Sequence, residues 1–414
     1  MPSLRFPEFR DIGEWEHTRL GKIGEFIGGG TPETSVAEYW DGDIQWFTPT
    51  EIKEKYLSKS KRTITEKGLK NSSAKSLPKG TLLLSTRATV GDVGIAVNPC
   101  STNQGFQSLL VKESEINVFW YYWLICHKND LLRKSSGSTF LEIGKGEIQK
   151  VDAFRPQKEE QKKIADCLAA IDALITAQTQ KRDALKANKK GLMQQLFPAE
   201  GETQPKLSFP EFRDMGDWEV KRLGDICEKI MDGTHFSPKS KSGTHVYLTS
   251  KNIKNGVIDL SNVSYISEEE HRQIYKKCPV MANDILLTKD GANTGNCALN
   301  NLAFEFSLLS SVAVLRGSKL FLDQRFLYQA ILSEKIQRLI KESISGQAIT
   351  RITLEKISNF SMSMPSLPEQ QKIADCLVSF DALITAQIEK IDALKTHKKG
   401  LMQQLFPAMD EVST

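Results

Sequence analysis

Nothing in the 414 residues approaches the ~18 consecutive apolar positions of a membrane helix. The N-terminus carries Glu8, Asp11 and Glu14 with no apolar stretch behind them, so no secretory signal is expected there. The seven cysteines (Cys100, Cys126, Cys167, Cys227, Cys278, Cys297 and Cys376) form no Cys-x-x-Cys pair, and their number is odd. They read as free thiols in a reducing cytoplasm, not as a disulfide framework. Cys167 and Cys376 lie in helical apolar patterns and read as small buried hydrophobes. A strong excess of one charge is also lacking: 55 basic residues face 51 acidic ones, a net charge of +4. That permits nucleic-acid binding without requiring it. With 40% hydrophobic and 26% charged residues and no biased tract, the chain is long enough for two or three domains with real cores.

Catalytic motifs are missing too. There is no G-x-x-x-x-G-K-[ST] phosphate loop. Gly28-Gly29-Gly30 runs into Thr31-Pro32, a turn and not a strand-to-helix dinucleotide fingerprint. Asn98-Pro99-Cys100 lacks the second proline and the aromatic of an adenine-methyltransferase motif. Asp43, Glu51 and Lys53 have loose nuclease spacing, but Asn252 stands where a second copy would need Glu51. His235 and His245 lack a Cys or carboxylate to complete a metal set. The chain reads as a non-catalytic binder without a metal.

What is present is repetition. Phe6-Pro7-Glu8-Phe9-Arg10-Asp11 returns as Phe209-Pro210-Glu211-Phe212-Arg213-Asp214, 203 positions on (209 − 6). Trp15, Arg19, Leu20 and Gly21 return as Trp218, Arg222, Leu223 and Gly224. Gly191 to Ala199 returns letter for letter as Gly400 to Ala408, 209 positions on (400 − 191). Fixed ends around divergent middles mark a tandem duplication that holds two different variable parts.

Each copy ends in a helical pattern. Ile164, Leu168, Ile171, Ile175, Gln178, Arg182, Leu185, Lys189, Leu192 and Leu196 are spaced alternately by four and three. So are Ile373, Leu377, Phe380, Ile384, Gln387, Ile391, Leu394, Lys398, Leu401 and Leu405. A period of 3.5 predicts a left-handed coiled coil. Each helix spans about 38 residues, or about 57 Å. Glu159, Glu160, Pro368 and Glu369 mark the starts, and Lys189, Lys190, Lys398 and Lys399 the ends, where cations complement the helix dipole. Phe197-Pro198 and Phe406-Pro407 stop the runs. Neither helix is stable alone, so a pseudo-twofold, antiparallel pairing is expected, with Gln178 and Gln387 fixing register.

The middles read as strand-rich domains on a shared frame. Thr81 to Ser85 matches Asp284 to Thr288 as a short buried strand, followed by loops at Thr86 to Gly94 and Lys289 to Gly295. Gln45 to Thr48 matches Val246 to Thr249. A helix then leads to a second polar loop, Ser135 to Thr139 or Ile344 to Ala348, with Ile143 and Ile352 just beyond. The fold class is therefore α+β: two strand-rich domains separated by two long helices. The expected boundaries are 1–155, 156–198 (helix), 199–208 (linker), 209–364, 365–408 (helix) and 409–414 (tail).

Two divergent domains, each followed by P-x-x-x-E-Q-x-K-I-A and a long helix, resemble the specificity subunit of a type I restriction-modification enzyme. The carrying segments are Pro156 with Glu160 to Ala165, and Pro365 with Glu369 to Ala374. The closing Lys-Lys-Gly-Leu-Met-Gln-Gln-Leu-Phe-Pro and the Gly-Gly-Gly-Thr-Pro at 28–32 fit as well; the second domain has Asp232-Gly233-Thr234-His235 instead. The resemblance implies two target recognition domains that each read half of a split, asymmetric DNA site, with the helices as spacers. It implies as partners double-stranded DNA, two methyltransferase subunits that use S-adenosylmethionine, and two motor-nuclease (restriction) subunits that use ATP and Mg. This chain would bind none of these cofactors. A type IIB specificity subunit and a coiled-coil protein scaffold stay open as alternatives.

Base readout needs donors and acceptors on loops. The expected DNA contacts are Thr48, Thr50, Lys53, Thr86, Arg87, Thr89, Asn103, Gln104, Ser138 and Thr139 in the first domain. In the second they are Thr234, His235, Lys251, Asn252, Lys289, Asp290, Asn293, Gln347, Thr350 and Arg351. Arg87 and Arg351 rank first, because a guanidinium pairs bidentately with guanine or phosphate.

Overall fold

A computed structural model describes residues 1–137, 141–240, 242–344 and 350–408. The two long helices are Lys158–Leu196 and Leu367–Leu405, 39 residues each, starting at equivalent positions (367 − 158 = 209). The chain divides into two units: Met1–Thr179 with the C-terminal stretch from Glu389, and Gln180–Ile388. Each unit thus holds one strand-rich domain, the first half of the helix that follows it, and the last half of the other helix.

Within each unit the two half-helices run antiparallel. In the first unit Ile164, Ala165 and Leu168 share a core with Met402, Leu405 and Phe406, while Asp172 further along pairs with Lys398. In the second, Ile373, Ala374 and Leu377 share a core with Leu192, Met193, Leu196 and Phe197, and Asp381 pairs with Lys189 at 2.7 Å. The two ion pairs are the same pair by position (381 − 172 = 398 − 189 = 209). All twenty alternating seam positions are buried or half-buried, whereas Leu174, Leu383 and Ile388, off the seam, are exposed.

Lys189 and Lys398 therefore do more than favour the helix dipole. A lysine in a seam must meet a counter-charge, because an unpaired buried charge is costly. Tyr122 donates a hydrogen bond to Asp172 and accepts one from Lys55 at 2.8 Å. Burial pushes the Lys55 ammonium down, with Asp172 opposing. In the second unit Gln329 donates to Asp381 at 2.8 Å.

The repeated motifs now have physical roles. Gln161, at 1% exposure, donates to the Pro156 carbonyl at 2.9 Å and accepts from the Ile116 amide at 3.0 Å. Gln370 does the same with the Pro365 carbonyl (2.9 Å) and the Asp323 amide (3.0 Å). Each glutamine ties its long helix to the start of the aromatic-rich helix of its own domain, Asn117–Cys126 or Gln324–Leu332. Glu160 is fully buried, bound by the Arg5 Nε and Nη2 (2.7 and 2.8 Å) and by the Trp15 indole (3.2 Å). At Arg5's position the second copy has Ser208, and Glu369 keeps only the tryptophan, Trp218, of those two partners. Burial pushes the Glu369 carboxyl up, and the Trp218 hydrogen bond opposes this.

The closing Leu-Phe-Pro plugs a core. Phe406 meets Phe119 at 5.3 Å in the first unit, and Phe197 meets Phe326 at 5.4 Å in the second. Burying such a ring contributes about 1.5–3 kcal/mol.

Each domain is closed by a two-stranded antiparallel ribbon joining its start to its end, Glu16–Arg19 with Asp152–Arg155 and Glu219–Arg222 with Ser361–Met364. The first domain has a five-stranded sheet in the order Gly24–Gly28, Gln107–Val111, Leu82–Leu84, Val93–Ala96, Tyr56–Leu57. The matching sheet of the second runs Cys227–Asp232, Val312–Gly317, Ile285–Thr288, Cys297–Leu299. Residues 82–84 and 285–287 are continuous apolar runs, as suits strands buried throughout. A second sheet in each pairs Trp40–Phe47 with Cys100–Thr102, or His245–Leu248 with Phe306–Leu308, in parallel. Val93 and Gly94 lie in a strand and Ile344 ends a helix, overlaps of two residues and of one with the stretches expected to be loops.

All seven cysteines are free; Cys167 and Cys376 are half-buried on the helices, not fully enclosed. Burial pushes the thiols of Cys100, Cys126, Cys227, Cys278 and Cys297 up to about 12, which leaves them unreactive. Among the described residues no helix is long and apolar enough to cross a membrane.

Two outcomes are expected. Gln161→Ala and Gln370→Ala should each destabilise by about 2–4 kcal/mol in urea unfolding, since each leaves a buried carbonyl and amide unpaired. The second concerns ring closure. The Leu4 amide donates to Gln404 (3.0 Å), as Leu207 does to Gln195 (2.9 Å), so the strand entering each domain starts beside the end of a long helix. A permutant opened at exposed Gly201, with Ala408 joined to Ser3 by a short linker, should melt within a few degrees of the parent.

Candidate nucleic-acid interface

In the first unit four loops are stitched together by backbone bonds. Asn103 donates to the Phe47 carbonyl (3.0 Å), Thr86 to that of Gly105 (2.8 Å), and Ile143 to that of Thr86 (3.2 Å). The Thr89 hydroxyl lies 3.5 Å from the Pro49 carbonyl. The segments 48–51, 86–89, 103–105 and 141–143 thus form one cluster where strands of both sheets end.

The second unit repeats it. Leu309 donates to the Leu248 carbonyl (3.0 Å), Lys289 to that of Ser311 (2.9 Å), Ile352 to that of Lys289 (2.9 Å), and Gly291 to that of Thr350 (2.9 Å). The Asn293 amide reaches the Ser250 carbonyl at 3.3 Å. Thr234 joins through its amide to Leu308 at 2.9 Å. Gly233 is what allows this approach, since a Cβ there would meet the Leu308 carbonyl oxygen at 1.9 Å.

The expected contact residues divide into those that face outward and those that do not. Thr50, Lys53, Arg87 and Gln104 are exposed, and Thr48, Thr89 and Asn103 half-buried. In the second unit His235, Lys251, Thr350 and Arg351 are exposed, and Thr234, Asp290 and Asn293 half-buried. Ser138, Thr139 and Gln347 lie outside the described residues.

Three expectations need correction, because the side chains lie inside. Thr86 is 2% exposed, its backbone bonded to Gly105 and Ile143. Lys289 is 1% exposed, its ammonium 3.2 Å from Asp232 and 3.7 Å from Asp290. Asn252, 5% exposed, accepts from the Thr249 amide at 3.0 Å and donates to the Asp259 and Asn262 carbonyls. Each sits at a loop's root, where the chain must still satisfy buried polar groups.

Asn252 also explains Glu51. The Glu51 carboxylate accepts from the Thr48 amide and hydroxyl, both at 2.7 Å, and from the Lys61 amide at 2.6 Å. Thr48 and Thr249 thus start equivalent turns, closed by a carboxylate in one copy and an amide in the other. The nuclease-like spacing is a capping box.

Sequence reasoning missed Thr31, whose hydroxyl donates to Gln104 at 2.6 Å, and Ser310 and Ser311, which follow the strand equivalent to Cys100–Thr102. It also missed Phe236, 81% exposed beside His235, and Glu142, which pairs with Arg87 at 2.7 Å. The 209-residue offset could have pointed to Glu142, because it places that residue opposite Arg351 (351 − 142).

The family described as "Type I restriction modification DNA specificity domain" matches residues 12–187 and again 215–395. A type I restriction enzyme MjaIX specificity subunit of Methanocaldococcus jannaschii is 30% identical over 412 residues, 95% of this chain and 94% of that protein. The EcoprrI specificity subunit of Escherichia coli is 25% identical, over 96% of this chain and 95% of its own. A solved S subunit of a type I restriction-modification system from M. genitalium superposes with a TM-score of 0.60 at 16% identity, over 99% of this chain and 100% of that one. The duplicated frame, the paired helices and these relatives together place the chain in the family of type I restriction-modification specificity subunits.

Proposed function

We propose that this chain reads a bipartite, asymmetric stretch of double-stranded DNA, one half-site with each unit's loop cluster. The observation that carries this is a difference on a constant frame. The same four segments are joined by corresponding backbone bonds in both units, while their outward side chains differ: Thr50, Arg87 and Gln104 against Lys251, Thr350 and Arg351. Loop donors and acceptors that differ would read different base edges, and the asymmetry of the site follows from theirs.

The chemistry belongs to partners in this reading. Two methyltransferase subunits bring S-adenosylmethionine and take the adenine out of the stack, and two restriction subunits bring ATP and Mg. This chain binds none of these cofactors and holds the register, in the cytoplasm where the DNA is.

The purified chain is expected to transfer no methyl group alone, and to direct adenine methylation at one bipartite sequence once its methyltransferase and S-adenosylmethionine are added. Methyl transfer by the chain alone would overturn the assignment. Replacing residues 1–155 with the first variable domain of another family member should change one half of the methylated sequence and keep the other. Sequencing of methylated sites reads this directly, and a change in both halves would refute the two-reader scheme.

A further inference from the structure

We propose that each unit holds its reading arginine parked on a carboxylate across two loops, Arg87 on Glu142 and Arg351 on Asp290, and that the guanidinium exchanges the carboxylate for a guanine edge on the correct half-site. The inference rests on the DNA-reading function proposed above and names the side chain that does the reading. Its starting point is a charge reversal. Arg87 and Asp290 occupy one position of the frame (290 − 87 = 203), Glu142 and Arg351 another (351 − 142 = 209). Both positions are bridged in both units, and the ion pair is inverted between them.

The loops do not need this pair to stay joined. Ile143 and Ile352, both buried, already fasten them through bonds to Thr86 and Lys289. Arg87, Glu142 and Arg351 keep 45–50% of their side-chain surface in water. The Arg87–Glu142 pair, exposed at both ends, is worth about fivefold at most in an equilibrium. A bidentate guanine contact discriminates by about 5- to 150-fold, that is about 1–3 kcal/mol. The exchange therefore runs toward the base once one is within reach.

The second pair is also incomplete. The Asp290 Oδ1 atom is buried without a hydrogen bond, and the Arg351 Nε lies 3.5 Å away, an ion pair but not a bond. The residue after the bridge has a left-handed backbone in both copies, Ala88 at φ 62° and Gly291 at φ 92°. Alanine takes that conformation only at a cost, so the frame enforces this turn. Meanwhile the carboxylate fixes the fork's orientation and repels phosphates, which disfavours unrelated DNA. Because the arginine comes from the first loop in one unit and the second loop in the other, the two half-sites need not carry guanine at corresponding steps.

The test uses the full chain with its methyltransferase, bound to duplexes carrying the cognate site, each single base-pair change, or unrelated sequence. Arg87→Ala should weaken cognate binding by about 5- to 150-fold, abolish discrimination at one G·C pair of one half-site, and leave the other half-site as it was. Arg351→Ala should do the converse. Arg87→Lys and Arg351→Lys, which keep the charge without the fork, should repeat the loss of discrimination. Glu142→Gln and Asp290→Asn should raise affinity for unrelated DNA. An equal loss on every duplex would mean a phosphate contact and would overturn the proposal. Unchanged affinity of both amide variants for unrelated DNA would overturn the parking role. A wild-type complex that selects no sequence would instead overturn the DNA-reading function itself.

Discussion

Each half of a long helix is completed by the opposite half of the other, and the rest of the structure depends on this antiparallel clasp. A 39-residue helix with an apolar seam has no stable existence alone in water. Here the seam is closed by the pairs Asp172–Lys398 and Asp381–Lys189 and by terminal rings, Phe406 and Phe197, set among the aromatic side chains of a domain core. The lysines make the pairing specific. A helix slipped by one turn would strand a seam charge away from its carboxylate, at a cost that apolar contacts alone would not impose.

The clasp divides the sequence into letters that frame and letters that face outward. Glu160, Gln161, Glu369 and Gln370 are polar yet almost completely enclosed, and each has partners inside its own unit. They anchor the helix to the domain's entry strand and to its aromatic helix, so a change at any one would loosen two elements. Glu51 and Asn252 show the same economy at smaller scale: different side chains, one turn, one set of backbone amides satisfied. Outside such roots the loops carry few obligations to the fold. The two copies were free to diverge there, even to the inversion of an ion pair.

Much of the molecule was legible in the sequence. The helices were read from period 3.5 and begin and end within about a residue of the expected marks, because caps and prolines act locally. The buried strands at Leu82–Leu84 and Ile285–Thr288 were read from their apolar runs. The loops were read because the duplication aligned them. Burial within a loop was not legible: Thr86, Lys289 and Asn252 are polar letters in polar stretches, and nothing in their neighbours distinguishes them from Thr50 or Lys251. Nor could the partners of Lys189 and Lys398 be found, since each pair joins residues about two hundred positions apart.

The sequence by itself determined the duplication, the two long helices and the division into constant ends and variable middles. Those follow from periodicity, punctuation and repetition, which are local or self-referential. Only the tertiary structure decided which half-helix belongs to which unit, which polar side chains are enclosed, and which charges meet. Those depend on through-space contact between segments far apart in the chain, and a buried charge or amide takes its meaning from its partner.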